Sequence, residues 1–92
     1  TAANATISGR VTYQSGMGIR GMSIELVDAS SGEQRFSRTN TFGLYQFGDI
    51  PVGRTYIVVV HETKRWRVPD SIRTVVVNDD LANLNFMVED DL

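Results

Sequence analysis

Cysteine is absent from these 92 residues. Disulfides, zinc–thiolate centres, iron–sulfur clusters and thiolate nucleophiles are therefore excluded together. Histidine occurs once, at His61, which rules out a two-histidine metal site and leaves a Ser–His–acid triad as the one familiar catalytic arrangement. No serine stands in the Gly-x-Ser-x-Gly setting of a nucleophile elbow. At the end of an apolar run, His61 reads as a capping or hydrogen-bonded residue, not a general base. Positive charge is scarce too: nine Lys and Arg against eleven Asp and Glu give a net charge of −2 and a pI near 5.2. Binding to nucleic acid depends on clustered cations that neutralise phosphates, so no nucleic-acid partner is expected. The longest apolar run, Tyr56 to Val60, is far short of the about 20 residues of a membrane helix, and direct membrane insertion is not expected. No initiator methionine precedes Thr1-Ala2-Ala3-Asn4, which reads as a piece cut from a longer polypeptide.

What is present is the composition of a folded domain, 41% hydrophobic and 22% charged. A chain of this size buries about 60–65% of its unfolded surface and supports one core, so residues 1–92 are expected to form a single domain with its core at about 6–88. Ile7, Gly9 and Val11 alternate with Thr6, Ser8 and Arg10, the period of a strand with one row inward. Met22, Ile24 and Leu26 repeat the pattern after a glycine-rich turn, and Phe36 centres a short third strand over Gln34 to Thr39. Tyr45 and Phe47 share a face of the fourth, and Thr55 to His61 is β-branched on both faces. Beyond a loop from Glu62 to Ser71, Ile72 to Val77 and the alternating Leu84, Phe86 and Val88 complete seven strands. Seven short strands separated by turn residues, with no helical period, predict an antiparallel β-sandwich.

Four segments in order carry a resemblance: Ile7-Ser8-Gly9-Arg10-Val11; Gly18-Ile19-Arg20-Gly21-Met22; Thr41-Phe42-Gly43-Leu44-Tyr45-Gln46-Phe47 with Ile50-Pro51-Val52-Gly53; and Leu84-Asn85-Phe86. Together they resemble the carboxypeptidase regulatory-like domains, whose fold is similar to transthyretin, over Thr6 to Val88. One departure is Arg20, where members of that family usually carry proline. The resemblance implies a Greek-key, transthyretin-like (prealbumin-like) sandwich. It also implies a non-catalytic accessory interaction or spacer domain of a larger secreted or cell-surface bacterial protein, extracellular or periplasmic, with no catalytic residue and no cofactor. In the neighbouring collagen-adhesin repeats a first-strand lysine forms an isopeptide bond; the one lysine here, Lys64, lies in a loop, so that crosslink is not expected.

Several groupings admit a sharper reading. Gly16-Met17-Gly18-Ile19-Arg20-Gly21 spells G-x-G-x-x-G, but a strand follows where pyrophosphate binding needs a helix N-terminus, so a glycine-rich turn is expected. Asp79 and Asp80, with Glu89, Asp90 and Asp91, lack the spacing of a calcium loop and read as a solvated turn and tail. Lys64-Arg65-Trp66-Arg67 sets one large aromatic face among three cations, a candidate contact for an acidic partner or a polysaccharide. The fifth and sixth strands are apolar on both sides. If they are neighbours, Ile57, Val59 and Val76 form an outward patch suited to a neighbouring domain of the parent protein or to another protein.

Overall fold

The computed structural model describes residues 4–61, 66–69 and 71–90, with the backbone alone at Trp66 and Asp90. The strands are β1 (Ala5–Thr12), β2 (Ser23–Asp28), β3 (Gln34–Arg38), β4 (Leu44–Ile50), β5 (Arg54–His61), β6 (Trp66–Arg67), β7 (Ile72–Val77), β8 (Phe86–Met87) and β9 (Glu89–Asp90). Seven of them build two sheets, ordered β4-β1-β8 and β3-β2-β5-β7, while β6 and β9 pair as a separate ribbon. The seven-stranded sandwich expected from the alternation is the observed architecture. Two local differences stand out. β8 runs parallel to β1, through Val11 with Phe86 and Thr12 with Met87, where an antiparallel strand was expected. Within the segment read as a loop from Glu62 to Ser71, Trp66 and Arg67 pair with Asp90 and Glu89.

The inward rows are those that the period of two selects. Ile7 and Val11 of β1 and Tyr45 and Phe47 of β4 are buried with Ile24 and Leu26 of β2 and Tyr56, Val58 and Val60 of β5. Phe86 and Val88 close the same core from the C-terminal segment. On β4 the alternation skips: Ile50, three residues beyond Phe47, is also buried. A bulge accounts for it, because the register shifts between Ala5 and Ile7, and Asp49 adopts a left-handed φ of 53° that returns Ile50 to the core side. Arg35 of β3 donates to the carbonyls of Gly48 and Asp49 at 2.9 and 3.4 Å, joining the edges of the two sheets at that bulge.

The segment 81–88 accompanies β1 along its free side. Leu81 N–H donates to Thr6 O and Ser8 N–H to Leu81 O, both at 2.8 Å, and Leu84 N–H donates to Ser8 O at 3.1 Å. The Arg10 N–H then donates to Asn85 Oδ1 at 2.9 Å and the Val88 N–H to Thr12 O at 2.8 Å. This approach requires glycine at position 9, where a Cβ would overlap the Leu84 carbonyl. Tyr45 Oη donates to that carbonyl at 2.5 Å, so strand, crossing segment and aromatic ring meet at one point.

Candidate functional site

The outer face of the four-stranded sheet is the feature that the core does not explain. β5 pairs antiparallel with both β2 and β7, which makes the two doubly apolar strands neighbours. Pairing aligns Phe36, Glu25, Val59 and Ile72 in one row across the sheet and Gln34, Val27, Ile57 and Thr74 in the next, with Thr55 beside Val76 beyond. Because inward and outward residues alternate, Val27, Ile57 and Val59 share the outward face with Phe36, Ile72 and Val76. The first three are half-buried by their neighbours, while Phe36, Ile72 and Val76 remain 63%, 60% and 59% exposed. The structure thus brings the sequence-predicted Ile57, Val59 and Val76 together. It adds Phe36 and Ile72, which sequence reasoning did not name. Ile72 could have been found from its spacing of four from Val76 in a strand; Phe36 carried no such signal among its polar neighbours.

One polar cluster interrupts this face. The Glu25 carboxylate, with its side chain only 12% exposed, accepts from Gln34 Nε2 at 2.6 Å and lies 2.8 Å from His61 Nε2. His61 is therefore a hydrogen-bonded strand-end residue, engaged with an acid on the neighbouring strand. At the opposite end of the sheet Asp28 caps the buried row of β2. Its carboxylate accepts the Ser30 N–H at 2.8 Å and the Arg54 guanidinium at 2.8 Å. The amide first and the guanidinium second hold the Asp28 carboxyl below the usual carboxylate value, and the same pairing raises Arg54. Beside the pair is a cavity of about 40 Å³ lined by Leu26, Asp28, Arg35 and Tyr56, room for about one water. Within it the Tyr56 hydroxyl donates to Pro51 O at 2.9 Å.

The remaining candidates disperse. Each side of the G-x-G-x-x-G stretch is tied into backbone: the Ile19 N–H donates to Val11 O at 2.9 Å and the Gly21 N–H to Thr39 O at 3.0 Å. Gly18 packs directly on the Phe42–Gly43 peptide, so a Cβ at position 18 would overlap the Phe42 carbonyl. The motif is a packed turn followed by a strand. Asp80 accepts the Thr6 N–H and Asp79 the Asp80 N–H, while Glu89 pairs with Arg67 at 3.1 Å. Among the described residues no three His, Asp or Glu side chains gather as metal ligands. Of the aromatic–basic stretch, Lys64 and Arg65 lie outside the described residues, as does the side chain of Trp66. Arg67 is exposed and committed in part to Glu89.

Two sheets packed around one core, with this strand order, define a transthyretin-like (prealbumin-like) sandwich. The chain belongs to the family of the carboxypeptidase regulatory-like domain, whose model matches residues 6–89. No curated protein matches it in sequence. In fold it is similar to a part of the Bacillus anthracis TIE protein (TM-score 0.78, 16% identity, 96% of this chain and 17% of that one). It is similar also to BcpA, the major pilin subunit of Bacillus cereus (0.79, 12%, 97% and 31%). A third is the pilus adhesin RrgA of Streptococcus pneumoniae (0.70, 22%, 83% and 9%). The chain thus spans less than a third of the length of each.

Proposed function

We propose that this sandwich is a non-catalytic accessory module of a larger exported bacterial protein, and that it packs against a neighbouring domain through the outer face of its four-stranded sheet. The observation that carries the reading is the coplanar set Phe36, Ile72 and Val76, exposed beside half-buried Val27, Ile57 and Val59. An exposed, largely apolar surface of this kind is suited to a contact with protein. The central Glu25, held by Gln34 and His61, gives the face one fixed polar point that can set the register of a partner. Similarity to parts of a major pilin and a pilus adhesin supports a setting at the cell surface, with this fold as one unit among several.

Hydroxyl-radical footprinting tests the proposal. Phe36 and Ile57 are oxidised in the isolated chain, and their oxidation falls several-fold in the full-length parent if a domain lies on this face. Equal oxidation in both would overturn the docking assignment.

A further inference from the structure

β3 and β4 each end their sheets, and between them runs a cleft of about 390 Å³, within the range of sites that hold small molecules. Ser37 and Arg38 line it from β3, Ser8 and Gln46 from the three-stranded sheet, and Asn40 and Leu44 from the two sides of the connecting turn. Its side chains are chiefly hydroxyl, amide and guanidinium, and no carboxylate is among them. The backbone adds to this polar lining. Ser8 bonds through its N–H to Leu81 O and through its carbonyl to the Leu84 N–H, away from β4. Gln46, its partner across the β1–β4 pair, therefore directs its own N–H and C=O toward the free edge, one donor and one acceptor on the cleft side.

Positive charge collects at one end of this cleft. Arg35, Arg54 and Arg67 are engaged with the Gly48 and Asp49 carbonyls, with Asp28 and with Glu89, while Arg73 lies over the Phe86 ring. Arg10, Arg20 and Arg38 are exposed, and among the described residues none of the three is paired with an acid. All three gather at the turn over residues 39–43. Arg38 precedes it; Arg20 lies between Ile19, whose carbonyl accepts the Thr39 hydroxyl at 2.6 Å, and Gly21, whose N–H donates to Thr39 O. Arg10 donates to Phe42 O through Nε and Nη2 at 3.3 and 3.2 Å. The same turn holds Phe42 firmly: Asn40 Oδ1 accepts the N–H groups of Phe42 and Leu44 at 2.9 and 3.1 Å, and Gly18 packs on the Phe42 carbonyl. Its ring is nevertheless 67% exposed, so the fold fixes an aromatic face in water among three cations.

We propose that this cleft and its arginine rim bind an acidic polysaccharide whose sugar rings carry carboxylates. The guanidinium groups pair with the carboxylates, the chemistry for which arginine is best shaped. Ser8, Ser37, Asn40 and Gln46 meet the ring hydroxyls, and Phe42 offers its face to the apolar side of one ring. Charge density separates this ligand from a nucleic acid. Duplex DNA carries one negative charge per about 1.7 Å of its axis and needs a dense band of cations. Three arginines set among neutral groups, on a chain of net charge −2, match a polymer with one carboxylate per ring instead. An acidic peptide supplies carboxylates but not the row of hydroxyls that the amide and hydroxyl lining would meet.

Titration of the chain with oligogalacturonate, followed by calorimetry and by amide NMR, tests the assignment. The Ser37, Asn40 and Gln46 amide signals should move on binding while those of Ile57 and Val59 stay. Arg20→Ser and Arg38→Ser should each weaken binding about tenfold, the worth of one hydrogen bond to a charged group, and Phe42→Ala several-fold. All three side chains are exposed, so the thermal midpoint of each variant should stay close to that of the unaltered chain. Added salt should weaken the complex, and dextran, polyglutamate and duplex DNA should bind less tightly than oligogalacturonate. Absence of binding by both readouts, insensitivity to salt, or equal affinity for dextran, polyglutamate or DNA would each overturn the proposal. Loss of binding on Lys64→Ser with Arg20→Ser and Arg38→Ser unaffected would do the same, by moving the contact to the aromatic–basic stretch. The cleft lies apart from Ile57 and Val59, so this titration and the footprint of the outer face in the parent protein succeed or fail separately.

Discussion

Replacing Gly9 by alanine bears directly on how the three-stranded sheet is closed. A Cβ at this position meets the Leu84 carbonyl, which is backbone, and lies 2.9 Å from Tyr45 Oη, so neither neighbour yields by turning a flexible side chain. Over-packing of this kind costs about 1–3 kcal/mol. Moving residues 84–85 aside also weakens the bonds from Leu84 N–H to Ser8 O and from Tyr45 Oη to Leu84 O, and that from Arg10 N–H to Asn85 Oδ1. Losing two of these at about 1 kcal/mol each brings the total to roughly 3–5 kcal/mol. That is a large share of the roughly 5–15 kcal/mol that holds a small domain folded. The thermal midpoint should fall by about 15–30 °C, and calorimetry reads it directly. Gly48→Ala is the matched control: it lies on the same sheet, nothing stands within 4 Å of its added Cβ and its φ is not positive, so it should change stability by no more than about 1 kcal/mol. If Gly9→Ala falls within the range of Gly48→Ala, the crossing at Leu84 is not the constraint described here.

Two further substitutions probe the buried polar contacts. Tyr45→Phe removes the donor to the Leu84 carbonyl and should cost about 1–3 kcal/mol near neutral pH in urea unfolding. Burial also pushes the Tyr45 phenol well above its ordinary 10.0, so its contribution is complete below that value and is lost as pH rises past it; Tyr45→Phe should flatten this alkaline decline. The Asp28 carboxyl, held below its ordinary 3.8 by the Ser30 amide and Arg54, behaves in the opposite sense: its contribution is complete above 3.8 and disappears as pH falls through the lower folded-state value. Asp28→Asn should therefore show a lower urea midpoint above that value and a flatter acid limb below it. A parallel acid limb in both proteins would exclude Asp28 as its origin.

Much of the sandwich was legible in the alternation of its strands. Ile7 with Val11, Ile24 with Leu26, Tyr45 with Phe47 and Phe86 with Val88 are buried, as period two requires. The doubly apolar pattern of Thr55–His61 and Ile72–Val77 also announced the outward patch, since a strand with one wet face has no need of Ile57, Val59 or Val76. What local pattern could not reveal depends on distant partners. The parallel course of β8 is set by bonds between residues 8 and 84 and between 12 and 88, and neither segment alone carries that information. Gly9 read as one more residue of an inward row because its real neighbour lies 75 positions along the chain. Phe36 sat among polar neighbours with no sign of its side, and the hairpin register opposite Glu25 puts it on the outside. That β7 ends its sheet followed only from the strand order.

The parallel partnership of β1 with the C-terminal segment has a mechanical meaning. Since β1 begins at one end of the sandwich and β8 finishes at the other, tension applied through the two flanks of the domain draws these neighbouring strands past each other lengthwise. The bonds linking residues 6, 8, 10 and 12 to residues 81–88 then bear the strain together instead of opening one by one. Resistance to pulling is governed by the rate of unfolding, so this seam sets how long the module holds under load.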